Sequence, residues 1–521
     1  MDNSNHTAEL LAEQDTKQLN VPADSLAQGS GPAPVYTPRE LYPKRRADRR
    51  DLALAGGLLG FCFLLWDAFC WAQGLGLGEG LGMLGLLPAA LLYLKNRPGR
   101  MTRYGWVCAG LYCLGALSLL LSGDGMLKLF TLCAMLPLYL IVLLERLHLR
   151  TGLGLGHRIH DLLSVWFSMS LGRINVGFWA LGHGGSEDSA HSKRVRAAFC
   201  GLLCAIPALL ILVPLLISSD AAFEGMLGSL NWELAGRGLF SLFFAACSTL
   251  LLFTRLFTSD KGPHPLPNTP RKGIEPAAVA AFLGIISAVY LLYLFAQFAY
   301  FTDAFRGLLP KGFTVAEYAR RGFFEMCAIV TINLLLIVFT LGLCRKDGGK
   351  VPGAVKSLSL FLCAFSLVLV ATALSKMILY MGSFGLTRLR LTTSVFMAFL
   401  ALMILSVALR LFVQKIPVAQ LTVTLGAVIL IGLSLSNADW LVARYNVDAW
   451  RAGKLDSLDM ETICELGDGA VPILVELAND PAESNIAGKA RRELEERNPE
   501  RDLRSWNLVT QKAIDALKQS S

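Results

Sequence analysis

The chain has 521 residues, of which 54% are hydrophobic and 17% are charged, with a formal net charge of +8. Soluble domains carry about 25% charged residues, so this composition excludes a predominantly soluble protein. Apolar runs of about 17 to 25 residues recur from Leu52 to Leu435, and each could cross a hydrocarbon layer of about 30 Å as a helix. The sequence therefore predicts an all-α fold, a polytopic transmembrane helical bundle with a small helical C-terminal domain.

The 12 cysteines of the chain do not indicate a metal centre or a disulfide framework. No C-x-x-C pair and no zinc spacing occurs in the sequence, and only Cys464 lies in the polar C-terminal segment. Basic residues flank the apolar runs and do not cluster on a soluble face, so nucleic acid is not an expected partner. We expect no cofactor and no metal, and the lipid bilayer is the expected partner.

Composition divides the chain into three regions. Residues 1–50 are polar and rich in Pro, Gly, Ser and Asp, which predicts a disordered tail without a signal peptide. Residues 51–436 form the transmembrane domain, and residues 437–521 form a soluble domain of about four helices. Hydropathy places about eleven spans, which lie near Leu52–Trp71, Leu77–Leu94, Tyr104–Leu121, Met126–Leu144, Ala197–Ile217, Gly238–Leu256, Ala277–Phe301, Phe323–Leu343, Leu358–Met381, Leu391–Phe412 and Pro417–Leu435.

Basic residues predict the orientation of the spans. The cluster from Lys44 to Arg50 stands immediately before the first span and favours a cytoplasmic N-terminus. An odd number of spans then places the C-terminal domain outside. Residues 157–181 mix charged and histidine side chains with Trp166 and Trp179, which predicts an interfacial helix. If this segment crossed the membrane instead, every later side assignment would be inverted.

A charged stretch opens the apolar span that begins near Phe323. Because residues four apart lie on one side of a helix, Glu317, Arg321 and Glu325 form a ladder, and Arg320 points elsewhere. One interpretation is that the arginines reach the interface and Glu325 neutralises one of them. The other is a site for an anionic or zwitterionic ligand, with arginine as the binding group.

Within a later span, Lys376 and Tyr380 are four residues apart. A lysine in a membrane span needs a carboxylate, a carbonyl or water as its partner. Arg388 and Arg390 follow in the next loop, which is external in the predicted topology and so runs against the positive-inside bias. These residues therefore indicate either a site or side chains that extend to the outer headgroups.

Several motifs resemble a bacterial membrane-protein family catalogued as domains of unknown function, DUF4153 and DUF4173. They are G-F-T-V-A-E-Y-A-R-R-G-F-F-E (Gly312–Glu325), Y-M-G-S-F-G-L-T-R-L-R (Tyr380–Arg390), N-A-D-W-L-V-A-R-Y-N-V (Asn437–Val447), L-D-S-L-D-M-E-T-I-C-E-L-G-D-G-A-V-P (Leu455–Pro472) and R-S-W-N (Arg504–Asn507). The resemblance covers roughly Pro207 to Asn507. It implies a multi-pass fold in the bacterial plasma membrane and brings no established activity or catalytic residue.

The resemblance also implies that the motifs gather at the outer ends of the spans. The candidate ligand-binding residues are then Glu317, Tyr318, Arg320, Arg321, Glu325, Lys376, Tyr380, Arg388, Arg390, Arg444, Tyr445 and Asn446. Clustered guanidinium groups bind phosphate or carboxylate, which makes an anionic small molecule or a lipid headgroup the expected ligand. The alternative is that the same salt bridges dock the C-terminal domain, with Asp439, Asp448 and Asp456 as partners.

Three function classes follow from these features. A non-enzymatic transport or ligand-binding protein would need a polar path, for which Asp67, Gln297, Glu325, Asn333 and Lys376 are candidates. An envelope sensor or assembly factor would use its external domain to bind a protein partner. A membrane enzyme acting on a lipid-linked anionic substrate would need a nucleophile with its base, and the sequence shows none. The sequence therefore favours the first class.

Overall fold

The computed structural model describes residues 46–71, 76–96, 100–147, 171–182, 232–261, 273–305, 323–345, 350–480, 484–497 and 505–520, with a few separate positions between 201 and 215. The described residues form sixteen α-helices and a short 3-10 helix at Asp468–Ala470. In chain order the α-helices are α1 (Arg49–Trp71), α2 (Leu77–Tyr93), α3 (Arg103–Leu121), α4 (Gly125–Arg146), α5 (Ile174–Gly182), α6 (Trp232–Lys261), α7 (Pro276–Phe305), α8 (Phe323–Leu343), α9 (Gly353–Phe384), α10 (Arg388–Phe412), α11 (Val418–Leu435), α12 (Ala438–Arg451), α13 (Met460–Cys464), α14 (Val471–Ala478), α15 (Ser484–Glu496) and α16 (Leu508–Ser520).

Nine helices of the described chain are long and apolar enough to cross a membrane, namely α1, α3, α4 and α6 to α11. The protein is therefore an all-α, multi-pass membrane protein, as the composition predicts. Helix α2 is apolar but has 17 residues. All predicted spans except Ala197–Ile217 coincide with one of these ten helices, and that span lies largely outside the described residues.

The predicted interfacial segment, residues 157–181, is described only from residue 171 onward. Its described part forms α5, a helix of 9 residues. At 1.5 Å per residue such a helix is too short to cross about 30 Å of hydrocarbon. Ala180 is buried, and Gly177 packs directly against Thr254 of α6. Helix α5 therefore packs against α6.

The membrane helices form two bundles that share α11. The first bundle, α1 to α6, has a core that includes Tyr112, and the second bundle, α7 to α10, has a core that includes Leu369. Helix α11 contributes Ile431 to the first core and Val418 to the second. Because α11 contacts α3, α4 and α10, it joins the two bundles along its length.

The short connections between neighbouring helices define two ends of the membrane domain. At one end, called the basic end below, Arg146 donates a hydrogen bond to the carbonyl of Leu94 at 2.7 Å, and Arg345 pairs with Glu275 at 3.5 Å. At the opposite end, called the tail end below, the α3–α4 and α9–α10 loops approach the start of α12. The tail end thus combines helix ends from both bundles with the C-terminal helices.

The C-terminal helices α12 to α15 pack around a third core, which includes Val442 and Leu474, and α16 packs against α14 and the 3-10 turn. Five α-helices and the 3-10 turn occur here, where about four helices were predicted, because α13 and α14 are short. Leu386 of the α9–α10 loop is part of this core and is 7% exposed. The core of the C-terminal helices therefore extends into the membrane domain.

A charged junction at the tail end

The α9–α10 loop places the candidate residues of the tail end. Gly385 follows α9 with a φ of +73°, a conformation that favours glycine. Thr387 is the N-cap of α10, and its side-chain oxygen accepts a hydrogen bond from the backbone N–H of Arg390 at 3.3 Å. The sequence G-L-T-R thus ends one helix and begins the next within three residues, which sets Arg388 in the first turn of α10.

Arg388 contacts carboxylates from two other parts of the chain. Its Nη2 lies 2.5 Å from Oδ1 of Asp439 on α12, and its Nε lies 3.4 Å from Oδ2 of Asp124 before α4. Asp124 is itself the N-cap of α4, because its Oδ1 accepts from the backbone N–H groups of Met126 and Leu127. Arg388 on the second bundle therefore joins the first bundle to the C-terminal helices, and we call Asp124, Arg388 and Asp439 the junction.

Asp439 is almost completely buried, with 2% exposure. Its second oxygen, Oδ2, accepts a hydrogen bond from the backbone N–H of Gly467 at 3.1 Å. Burial raises the pKa of the Asp439 carboxyl above its ordinary value, although the neighbouring Arg388 lowers it. The desolvation of this carboxylate therefore affects its pKa more than the ion pair with Arg388 does. Loss of Arg388 would leave the buried negative charge without a positive partner.

Asn446 on α12 holds the α9–α10 loop through two hydrogen bonds to Leu386. Its Oδ1 accepts from the backbone N–H of Leu386 at 2.7 Å, and its Nδ2 donates to the carbonyl of Leu386 at 2.8 Å. The amide side chain thus pairs with the loop as a neighbouring strand would. A Cβ on Gly385 would lie 2.6 Å from Oδ1 of Asn446, so only glycine fits beside this contact.

Arg390 and Tyr380 stabilise the end of α9. The guanidinium of Arg390 donates to the carbonyls of Phe384 at 3.0 Å and Gly385 at 2.5 Å. It also lies over the ring of Tyr380, 4.1 Å from the centroid, in a cation–π contact. Arg390 is therefore engaged by protein groups at the carbonyl end of a helix, where a positive charge is favourable.

Arg444 lies away from the junction, among charged residues of the C-terminal helices. It pairs with Asp448 and with Glu476 at 3.1 Å each, and Arg451 pairs with Glu476 and with Asp480. The neighbouring Tyr445 is 43% exposed. The structure therefore brings Arg388, Arg390 and Asn446 together around the α9–α10 loop and places Arg444 and Tyr445 elsewhere on α12.

The remaining candidate residues belong to α8 and α9 or to the chain between α7 and α8. Glu317, Tyr318, Arg320 and Arg321 lie outside the described residues. Glu325 is exposed in the first turn of α8, and Lys376 is half-buried on α9. Binding of a ligand by any of these residues stays a prediction.

Two of the polar-path candidates are engaged inside the bundles. Asp67 pairs with Arg237 at 3.1 Å, which links α1 to α6. Asn333 is fully buried, accepts from the Tyr290 hydroxyl at 2.7 Å and donates to Ser366 Oγ at 3.0 Å. The Asn333 amide therefore links α7, α8 and α9, as expected for a satisfied polar group between membrane helices. The side chain of Gln297 lies outside the described residues.

The docking alternative offers Asp439 as one of three partners, and in the structure Asp439 forms an ion pair with Arg388. The sequence interpretation missed Asp124 as the second partner and the role of Asn446 as a backbone clamp. The N-cap pattern of Asp124 before α4 was a usable signal, whereas its proximity to Arg388 depends on the packing of the two bundles. Within the described residues, no group of three or more His, Cys, Asp or Glu side chains could hold a metal ion.

Comparison with known proteins places the chain in a family. A model of a domain of unknown function, DUF4153, matches residues 53–477. The DUF4153 part of the predicted resemblance is confirmed, whereas no finding supports the DUF4173 label. No curated protein and no solved structure matches the chain. The match spans most of the chain, from α1 to α14, and the protein therefore belongs to the DUF4153 family, whose function is unknown.

Proposed function

We propose that this protein has a non-enzymatic transport or ligand-binding role in the bacterial plasma membrane, with an anionic small molecule or lipid headgroup as its ligand. The N-terminus lies in the cytoplasm and the C-terminal helices lie outside. The proposed ligand groups are Lys376 and Glu325 with the arginines of residues 312–325. The choice of these ligand groups rests on their charges in the sequence and on the predicted topology.

The main structural support for this proposal is the junction of Asp124, Arg388 and Asp439. A transporter or a ligand-responsive membrane protein changes the relative position of rigid helix groups. Arg388 belongs to the second bundle and pairs with Asp124 of the first bundle and with Asp439 of the C-terminal helices. Movement between the bundles would therefore alter both ion pairs, so ligand binding in one bundle could be coupled to the C-terminal helices through Arg388.

Untargeted metabolite and lipid profiling tests the proposed role in bacterial cells that lack their own copy of the protein. The cells receive the wild-type chain, Lys376→Ala, Arg388→Gln or Arg410→Gln. Arg410 is the matched control because it lies at the other end of α10 and donates to the carbonyl of Ile416. We expect loss of the protein to change the level of an anionic or zwitterionic compound, and only the wild type and Arg410→Gln to restore it.

Membrane abundance and the thermal midpoint of each variant are measured in parallel. Lys376→Ala should fail to restore the profile even when the profile is normalised to the amount of folded protein in the membrane, since it removes a proposed ligand group. The proposal is wrong if loss of the protein changes no compound, or if Lys376→Ala and Arg388→Gln restore the profile as well as Arg410→Gln does.

A sensor or assembly role is the second candidate function. It is favoured by one observation, because Arg388, Arg390 and Arg444 are engaged by groups of the chain itself. In that role the C-terminal helices would bind a protein partner. Site-specific photo-crosslinking from exposed Tyr445 would then capture one defined protein from intact cells, and the metabolite profile would not change.

A further inference from the structure

Glu79, in the first turn of α2, is a buried acid that neither the junction nor the proposed ligand site uses. Its side chain is fully buried, with 0% exposure. Oε2 accepts a hydrogen bond from the backbone N–H of Gly76 at 2.8 Å, whereas Oε1 has no hydrogen-bond partner in the described part of the chain. A buried carboxylate with an oxygen that lacks a donor is costly, which favours binding of a proton.

The C-terminal segment covers the start of α2. The backbone N–H of Leu77 donates to the carbonyl of Trp506 at 3.0 Å, and a Cβ on Gly76 would lie 2.5 Å from the carbonyl of Ser505. Close by, a Cβ on Gly123 would lie 2.7 Å from Cγ1 of Val509. Residues 505–509 thus lie against the first turn of α2, the turn that carries Glu79, and against Gly123.

Polar contacts hold this segment in place. Asn507 is the residue before α16, and its Oδ1 accepts from the backbone N–H of Thr510 at 2.9 Å. The hydroxyl of Thr510 donates to Oδ2 of Asp468 in the 3-10 turn at 2.6 Å. Ser505, Asn507 and Thr510 are all buried. The segment therefore connects the C-terminal helices to α2, beside the Asp124 end of the junction.

Among the described residues, Lys128 on α4 is buried, and its positive charge acts on Glu79. Asp67 on α1 is paired with Arg237, and Asp124 before α4 is paired with Arg388. The last two turns of α3 contain no ionisable side chain, and neither do residues 505–507. Lys128 is thus a cation that would oppose protonation of Glu79.

We propose that Glu79 is a proton-binding site, and that it takes up a proton as residues 505–510 close over the start of α2. In the closed state the protonated acid needs no cation and no water. In the open state water reaches the carboxylate, and the proton is released. Neither step depends on the ligand of the proposed transport role, so either proposal can fail without the other.

The thermal midpoint of the purified full-length chain tests the proposal from about pH 5 to about pH 8.5, a range in which a buried acid can titrate. Glu79→Gln mimics the protonated acid. Its thermal midpoint should match that of the wild type at the lowest pH and exceed it at the highest pH.

Glu145→Gln is the matched control, because Glu145 is equally buried, lies at the basic end of the membrane domain and accepts a hydrogen bond from the Thr102 hydroxyl at 2.6 Å. A midpoint of Glu79→Gln that lies below the wild type by the same amount at every pH would overturn the proposal, because Glu79 would then act as an ionised partner of Lys128.

Hydrogen exchange of the wild-type chain provides a second measurement that does not depend on a variant that folds. The peptide covering residues 505–520 should lose protection as the pH rises, relative to a peptide covering α14 in the same digest, which corrects for the intrinsic pH dependence of exchange. In Glu79→Gln the relative protection should be independent of pH. Constant relative protection in the wild type across the range would overturn the proposal.

Discussion

The guanidinium of Arg388 lies 2.5 Å from the carboxylate of Asp439, and this ion pair connects a membrane helix to the first helix after the last span. The two partners differ in environment, because the side chain of Asp439 is 2% exposed and that of Arg388 is 36% exposed. An arginine without its partner can reach water, whereas the aspartate cannot. The consequences of removing each partner should therefore be unequal.

We expect Arg388→Gln to destabilise the protein more than Asp439→Asn does. Removing one partner of a buried ion pair costs about 3–5 kcal/mol, and the partial exposure of Arg388 reduces this to about 2 kcal/mol. Asp439→Asn leaves Arg388 paired with Asp124 and removes the buried charge, so its cost should be smaller. Thermal unfolding of the purified variants measures the difference, with Arg410→Gln as the control on the same helix. Equal losses for Arg388→Gln and Asp439→Asn would contradict the proposed asymmetry.

The loss caused by Arg388→Gln should also depend on pH. The pKa of Asp439 in the folded protein lies above its value in the unfolded chain because the carboxyl is buried, and removal of Arg388 raises it further. A carboxyl with a raised folded pKa loses stability as the pH rises through that value. The difference in midpoint between the wild type and Arg388→Gln should therefore grow with pH, and Arg388→Gln/Asp439→Asn should not show this growth. A difference that is constant from acid to neutral pH would exclude Asp439 as its cause.

Gly385→Ala should destabilise the protein more than Gly453→Ala. Both glycines have positive φ, +73° and +68°, and Gly385 also has a ψ of −179°, a combination that is essentially restricted to glycine. Only Gly385 has a neighbour in the way, because its Cβ would lie 2.6 Å from Asn446 Oδ1, whereas the Cβ of Gly453 would meet nothing within 4 Å. The additional loss at Gly385, about 1–3 kcal/mol, combines overpacking against Asn446 with the strain of the Gly385 backbone conformation. Equal thermal midpoints would show that this contact does not form.

Asn446→Ala should release the α9–α10 loop from α12. The substitution leaves the N–H and the carbonyl of Leu386 without their partners, at about 1–3 kcal/mol for each buried group. Limited proteolysis within residues 384–388 should become faster, and Tyr445→Ala is the control because that side chain is exposed. The same proteolysis rate in Asn446→Ala and in the wild type would show that other contacts hold the loop.

Cysteine labelling determines the sides of the membrane. In a cysteine-depleted background, Lys454→Cys introduces an exposed thiol in the C-terminal helices and Lys415→Cys introduces one at the basic end, between α10 and α11. We expect an impermeant maleimide to label Lys454→Cys in intact cells and Lys415→Cys only after lysis, because basic residues favour the cytoplasmic side. The opposite result would invert the proposed topology.

Local sequence patterns predicted the features that depend on neighbouring residues. The spans follow from runs of apolar residues, and the i,i+4 spacing of Glu493 and Arg497 is that of their ion pair at 2.9 Å. The α9–α10 turn also has a local signal, since Gly385 and Thr387 are a helix-ending residue and an N-cap. These features need no knowledge of tertiary structure.

Contacts between distant parts of the chain were not predictable in the same way. Asp124 and Arg388 belong to different bundles, and their approach depends on α11 packing against both. Asn446 forms hydrogen bonds with the backbone of Leu386. Every residue type except proline has these backbone groups, so the side chain at position 386 does not reveal the contact. The burial of Glu79 depends likewise on residues 505–510, which are far away in the chain.

Disulfide formation between Gly123→Cys and Val509→Cys tests most directly whether the C-terminal helices dock on the membrane domain. A Cβ on Gly123 would lie 3.1 Å from the Cβ of Val509, which is near the distance of about 3.5–4.5 Å in disulfides. In the cysteine-depleted chain, mild oxidation should yield the crosslinked peptide by mass spectrometry, and exposed Lys512→Cys paired with Gly123→Cys should not. If the first pair stays reduced, or if both pairs crosslink equally, the C-terminal helices are not docked as described.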